Sequence, residues 1–224
     1  PVQVGTNTWS KIAAGFYHSL AIRSDNTLWS WGRNMYGQLG LSDVTHRSSP
    51  VQVGTSNGWS NIAAGGYHSL AIRSDGTLWS WGYNIRGQLG LSNTANKSSP
   101  VQVGTNTWNS ISGGGLHTLA IRSDNTLWSC GYNFYGQLGL SDIAHRYSPV
   151  QVGNLNNWSS VAGGGYHTLA IRSDGTLWSC GYNFYGQLGL SDTVNRLSPV
   201  QVGNLNNWSK ISCGFVHTLA LKII

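Results

Sequence analysis

Residues 59–92 read Trp-Ser-Asn-Ile-Ala-Ala-Gly-Gly-Tyr-His-Ser-Leu-Ala-Ile-Arg-Ser-Asp-Gly-Thr-Leu-Trp-Ser-Trp-Gly-Tyr-Asn-Ile-Arg-Gly-Gln-Leu-Gly-Leu-Ser; a variable loop follows, then Ser99-Pro-Val-Gln-Val-Gly104. The stretch returns along the whole chain. Gly-Gln-Leu-Gly begins at Gly37, Gly87, Gly136 and Gly186, at spacings of 50, 49 and 50 residues. A histidine recurs at His18, His68, His117, His167 and His217, and a tryptophan at Trp9, Trp59, Trp108, Trp158 and Trp208. A fixed period of this length signals a solenoid, a propeller or an array.

Within one unit the local signals are those of strands. His68–Arg73 places Leu70 and Ile72 on one face, Thr77–Trp81 carries β-branched and aromatic residues with period two, and 100–103 alternates again. Ser-Asp-Gly or Ser-Asp-Asn (74–76, 24–26) separates two of these runs and reads as a tight hairpin turn. Gly and Pro punctuate the chain about every 10 residues, and good helix formers are scarce: there is one Met and no Glu. Four short antiparallel strands per unit make the blade of a β-propeller.

The motif Gly-x-x-His-(Ser/Thr)-Leu-Ala, then Thr-Leu-Trp-Ser-(Trp/Cys)-Gly, then Asn-x-x-Gly-Gln-Leu-Gly resembles the repeat of the regulator of chromosome condensation (RCC1) family over the whole chain, in the manner of its bacterial and phage members. The resemblance implies an all-β propeller, typically of seven blades. It points to a guanine-nucleotide exchange factor, to inhibitors of hydrolases and to uncharacterised proteins alike, so it carries function only weakly. Residues 1–224 are expected to form a single domain with full repeats at 9–54, 59–104, 108–153 and 158–203 and a partial one at 208–224. Pro1–Gly5 matches the last strand of a unit, and the Thr-Leu-Trp-Ser strand of the fifth unit is missing. Three arrangements are open: part of a seven-bladed ring, which is favoured, an arc completed by another chain, or a small ring with one deficient blade.

Composition narrows the classes. Charged residues are 9% of the chain, all seven acids are Asp, and the formal net charge is +6. A surface made polar by Ser, Thr, Asn, Gln and Gly is more usual for a secreted, cell-surface or virion protein than for a cytosolic enzyme. Positive charge without a basic run is a weak nucleic-acid footprint, so nucleic acid is not an expected partner. The repeated Arg23, Arg73, Arg122 and Arg172 stand two residues before Asp25, Asp75, Asp124 and Asp174, which suggests local pairing. No run approaches the ~18 apolar residues of a membrane span, and none is read as inserting. Cys130 and Cys180 fill the slot held by Trp31 and Trp81, so with Cys213 they are expected to be free thiols.

Residues copied into every unit are expected to build the blade. The histidines should lock neighbouring blades by hydrogen bonds to backbone, the Asp of each hairpin should bond its own turn, and Gly-Gln-Leu-Gly lacks the Lys-Ser/Thr of a phosphate loop. No catalytic set, metal site or cofactor is expected. Variation is confined to the dipeptides before Gly-Gln-Leu-Gly and to the loops that follow. From the dipeptide region come Arg33, Tyr36, Arg86, Tyr135 and Tyr185 as candidate partner-binding residues. From the loops come His46, Arg47, Lys97, His145, Arg146, Tyr147 and Arg196. Aromatic and Arg side chains among small polar ones are the types that dominate binding surfaces. The chain is therefore read as a non-enzymatic interaction or structural module, binding a protein partner, a host surface or copies of itself. The alternatives are an exchange-type regulator of a small GTPase and a glycan-binding propeller with Tyr36, Tyr135 and Tyr185 stacking on sugar rings.

Overall fold

A computed structural model describes residues 5–223, which form strands and turns without a helix. The first blade is β1 (Trp9–Ala14), β2 (His18–Arg23), β3 (Leu28–Gly32) and β4 (Arg47–Gln52), hydrogen-bonded in that order and antiparallel throughout. The second runs β5 (Trp59–Ala64), β6 (His68–Arg73), β7 (Thr77–Gly82) and the front of β8 (Lys97–Gly113). The back of β8 opens the third blade, continued by β9 (His117–Arg122), β10 (Leu127–Gly131) and β11 (Arg146–Gln151). The fourth is β12 (Trp158–Gly163), β13 (His167–Arg172), β14 (Leu177–Gly181) and β15 (Arg196–Gln201). A two-stranded pair, β16 (Trp208–Cys213) and β17 (Thr218–Lys222), follows. Most of the strand expected over 1–5 lies outside the described residues.

Blades two and three differ from the expected pattern because β8 is continuous, so their strands form one seven-stranded sheet. Gly104 is joined to Trp108 by three residues, Thr-Asn-Thr, whereas four join Gly54 to Trp59 and Gly153 to Trp158. Thr107 pairs with Thr77, which carries the strand through, although the same Thr-Asn-Thr at 6–8 forms no strand; the linker is one residue shorter than at the next junction. This also accounts for the spacing of 49.

At each hairpin between second and third strands, Asn26 and Asn125 have φ of 62° and 63°, where Gly76 and Gly175 have 81° and 77°. The alternation of Asn and Gly thus meets one demand for left-handed backbone, which these residues tolerate best. Asp25 Oδ1 accepts from the backbone N–H and hydroxyl of Thr27, and Thr27 Oγ1 accepts from Trp29 Nε1 at 2.8 Å. The other three hairpins repeat this relay.

The core lies between blades. Leu20, Ile22 and Leu28 of the first blade pack with Trp59, Ile62 and Trp81 of the second, and equivalent clusters fill the next two junctions. Each such side chain contributes about 1.5–3 kcal/mol on burial. The flanks of the first and last units lack that cover: Ile12 is 79% exposed, against 8% for its equivalents Ile62, Ile111 and Val161. Leu219 and Leu221 are exposed too, where Leu20 and Ile22 are buried.

Junction histidines do not bond backbone directly, as the sequence reading had them. His68 Nε2 lies 2.9 Å from Thr118 Oγ1 of the next blade, and Thr118 Oγ1 donates to Gln88 O at 2.7 Å. The hydroxyl hydrogen is thereby committed to Gln88, so His68 is the Nε2–H tautomer and donates to Thr118. His18–Ser69–Gln38, His117–Thr168–Gln137 and His167–Thr218–Gln187 repeat the relay. Nδ1 of each of these four rings is buried without a hydrogen-bond partner. A Cβ on Gly114 would overlap the His117 ring, which is why glycine precedes the histidine by three residues.

The three cysteines are free, with Cys130 and Cys180 buried. Their sulfurs approach Gln88 O and Gln137 O, each at 3.8 Å, as Trp81 Nε1 approaches Gln38 O at 2.9 Å. Burial pushes all three thiols up to about 12. Thiolate is the reactive form. A disulfide-exchange reagent is therefore expected to label the folded chain slowly and to find three thiols at once in denaturant. Rapid native labelling of Cys130 or Cys180 would contradict this placement.

Candidate functional site

Because strands alternate in direction, the turn joining first and second strands and the long loop joining third and fourth strands emerge at one end of every blade. That end is built from one repeated hub. Asn34 is buried, its Oδ1 accepts from Leu39 N at 2.9 Å, and its Nδ2 donates to Asp43 O at 3.0 Å. Asn84, Asn133 and Asn183 do the same in the other loops.

Several candidate binding residues serve this hub. His46 Nδ1 and His145 Nδ1 accept the backbone N–H of Asn34 and Asn133, and Asn96 Oδ1 and Asn195 Oδ1 take that place in the other two loops. The alternation of His and Asn is thus two ways of supplying one acceptor. Arg47 donates to Asp43 at 2.6 Å and to Thr45 O at 2.9 Å, and Arg146 and Arg196 hold Asp142 and Asp192 likewise. The Thr45 backbone N–H and then the Arg47 guanidinium hold Asp43 below the usual carboxylate range. In the second loop Asn93 stands where the others have Asp, so Lys97 has no carboxylate to hold.

The tyrosines form the floor of the face. Tyr36 packs on Tyr83 of the next blade at 4.5 Å between centroids, Tyr135 packs on Tyr182 at 4.7 Å, and Arg86 lies over Tyr132 at 5.7 Å in the same relation. Tyr67 and Tyr166, from the short turns, join them. Phe16 and Phe215, from the first and last units, meet at 5.4 Å, and Phe215 reaches Tyr166 at 5.4 Å. Arg33 sits over Tyr17 at 5.2 Å. The aromatic surface is therefore continuous from the first unit to the last. Tyr147 and Tyr185 stand exposed at its border. Burial, then the nearby Arg86, pulls His145 below the ordinary histidine range.

Above this floor stand four side chains absent from the sequence-derived candidates. Met35, Ile85, Phe134 and Phe184, the first residue of each variable dipeptide, are 54–64% exposed. Phe134 stacks on Tyr132 at 6.4 Å with an 18° interplanar angle, and Phe184 stacks on Tyr182 at 6.3 Å with 11°. The sequence shows that the position is large and apolar in all four units; that no core lies beneath the turn is seen in the fold.

The opposite end is different. Arg23 lies 3.7 Å from Asp25 and Arg122 lies 3.9 Å from Asp124, longer than a close ion pair. These two pairs bear out the expected local pairing, and the repeated arginines also stack on tryptophans, Arg23 over Trp29 at 5.3 Å and Arg172 over Trp178 at 3.6 Å. Among the described residues no group of three or more His, Cys, Asp and Glu could hold a metal ion.

Fold and face together define a repeat-built β-propeller that presents an exposed aromatic platform on one side. The chain belongs to the RCC1 repeat family: the repeat model matches residues 25–72, 75–121, 124–171 and 174–221, and a second model of the repeat matches 9–38, 59–88, 108–137 and 158–187. Among curated proteins, 44 residues are 43% identical to the ultraviolet-B receptor UVR8 of Arabidopsis thaliana, covering 20% of this chain and 10% of the receptor. A 41-residue stretch is 46% identical to the human probable E3 ubiquitin-protein ligase HERC4, covering 18% of this chain and 4% of the ligase. Among solved structures, Prp20p of Saccharomyces cerevisiae superposes with a TM-score of 0.86 at 23% identity, over 99% of this chain and 58% of Prp20p. Human WBSCR16 gives 0.88 at 23% identity, over 100% and 60%. The chain thus spans a small part of those curated relatives and somewhat over half of those structures. Prp20p was described together with its binding to Gsp1p and histones, and has been crystallised with Kap60.

Proposed function

We propose that this chain is a non-enzymatic protein-interaction module that engages its partner through the long-loop face. One observation carries the reading: every blade holds a large apolar side chain out of the core, at Met35, Ile85, Phe134 and Phe184, on a floor of packed tyrosines. Rigid exposed aromatics supply contact area at little entropic cost and make up the centres of binding surfaces. The binding of Gsp1p, histones and Kap60 by a protein of the same fold supports the reading by likeness.

The test is selection of a displayed random-peptide library against the folded chain. Retained peptides are expected to lose at least tenfold in affinity when Phe134 and Phe184 are replaced by Ser, with the melting transition unchanged because both side chains lie outside the core. Retained peptides indifferent to both substitutions, or no retained peptide, contradict the proposal.

A further inference from the structure

The loop face is divided by charge. Around blades one and two it carries Arg33, Arg86 and Lys97, none of which is paired with a carboxylate among the described residues. Around blades three and four it carries Phe134, Tyr147, Phe184 and Tyr185, all exposed. The acids on this side, Asp43, Asp142 and Asp192, are each spent on an arginine of their own loop. The other four, Asp25, Asp75, Asp124 and Asp174, accept from Thr27, Thr77, Thr126 and Thr176 in the hairpins at the far end. The face therefore keeps an uncompensated positive half beside an apolar half.

Resting on the protein-binding reading above, we propose that the occupant is an acidic peptide segment that also carries aromatic or branched apolar side chains. Its carboxylates lie over Arg33, Arg86 and Lys97, and its apolar residues lie over Phe134 and Phe184. Two features favour carboxylates at the first position. The guanidinium carbons of Arg33 and Arg86 lie 5.2 and 5.7 Å from the ring centroids of Tyr17 and Tyr132, and Arg33 Nη2 also meets Met35 Sδ at 2.8 Å. A guanidinium held on a ring still presents N–H groups in its plane, the geometry that pairs with a carboxylate. Lys97 owes its freedom to Asn93, the one loop position at which the chain drops the acid found in the other three loops.

A second copy of the same face offers these cations no free carboxylate, since each acid on it is held by an arginine of its own loop. Nucleic acid fits less well, because three separate cations make a small phosphate footprint.

The selected peptides test the assignment. They are expected to be enriched in Asp and Glu together with Phe, Trp, Leu or Ile. A representative should weaken at least tenfold when its acids become Asn or Gln, and likewise against the folded triple variant R33Q/R86Q/K97Q. Its affinity should fall as salt is raised. Peptides that need Phe134 and Phe184 but show no acidic enrichment, and bind the triple variant as well as the unmodified chain, would overturn this inference and leave the protein-binding reading standing. Absence of any face-dependent peptide would overturn both. Displacement of the peptide by a short single-stranded oligonucleotide at equal concentration would overturn the inference in favour of nucleic acid.

Discussion

Acidification from pH 7 to pH 4 is expected to unfold the propeller. Four junction histidines are held neutral by burial: His18 and His167 are lowered from 6.5 to about 4, and His68 and His117 to about 3. Protonation would place a charge beside a buried Nδ1 that has no acceptor. Above pH 6.5 folded and unfolded chains are both neutral at these rings, and their contribution to stability is complete. As pH falls below 6.5 the unfolded chain takes up protons that the folded chain refuses, so stability drops until pH reaches the folded values of about 3–4. Each histidine removes ~1.4 kcal/mol per pH unit in that window, and four remove ~5.5. Against a typical stability of ~5–15 kcal/mol, collapse should come within about one to three units below 6.5. Circular dichroism and tryptophan emission followed from pH 7 to pH 3 read this directly. His68→Gln with His117→Gln, which retains a donor but cannot titrate, should flatten the acid limb even if it lowers stability at pH 7. A chain equally stable at pH 7 and pH 4 would remove the relay from the account.

Trp81→Ala is expected to cost ~3–5 kcal/mol, the range for emptying a large buried aromatic site. Trp81 is fully buried, packs with Leu20, Ile22 and Trp59 across the first junction, and donates to Gln38 O at 2.9 Å. Truncation opens a cavity and removes one of the two donors to that carbonyl, leaving Ser69 Oγ at 2.7 Å. Cys130→Ala, at the equivalent slot of the third blade, removes one atom and a 3.8 Å sulfur contact and should cost ~1 kcal/mol. Because each buried core cluster is shared by adjacent blades only, the Trp81 loss should appear first as faster amide exchange in β2, β5 and β6. Equal denaturation midpoints for the two variants would show that the slot is not a junction anchor.

The blade was legible because its determinants recur. Alternation in His68–Arg73 and Thr77–Trp81, the Asp-Gly and Asp-Asn turns and the fifty-residue period are local signals, and β6, β7 and their equivalents lie where these place them. The fusion of two strands into β8 rests on the pairing of Thr107 with Thr77, which propensity does not register, since the same Thr-Asn-Thr at 6–8 forms no strand. The candidate site was read in part. The variable segments do converge on one end of the propeller, yet the residues chosen for charge or a ring, such as His46, Arg47 and Tyr36, turn out to staple the loop or pack the floor. Those bonds join residues 4 to 12 apart through a loop that doubles back, and no periodicity announces them. Met35 and Phe134 lie in the variable dipeptides, but the candidates there were chosen for charge or a polar ring, which neither carries. Only the fold shows that no core lies beneath that turn.

The chain contains a single methionine, Met35, and it stands on the proposed face. Its methyl group, isotopically labelled and observed by NMR while the folded chain is titrated with a selected peptide, is the most direct probe of the central claim. The expected result is one signal that shifts or broadens in step with binding and returns when a Phe134→Ser, Phe184→Ser chain is used instead. A Met35 signal that does not move at saturation would place the partner elsewhere on the propeller and contradict the assignment of this face.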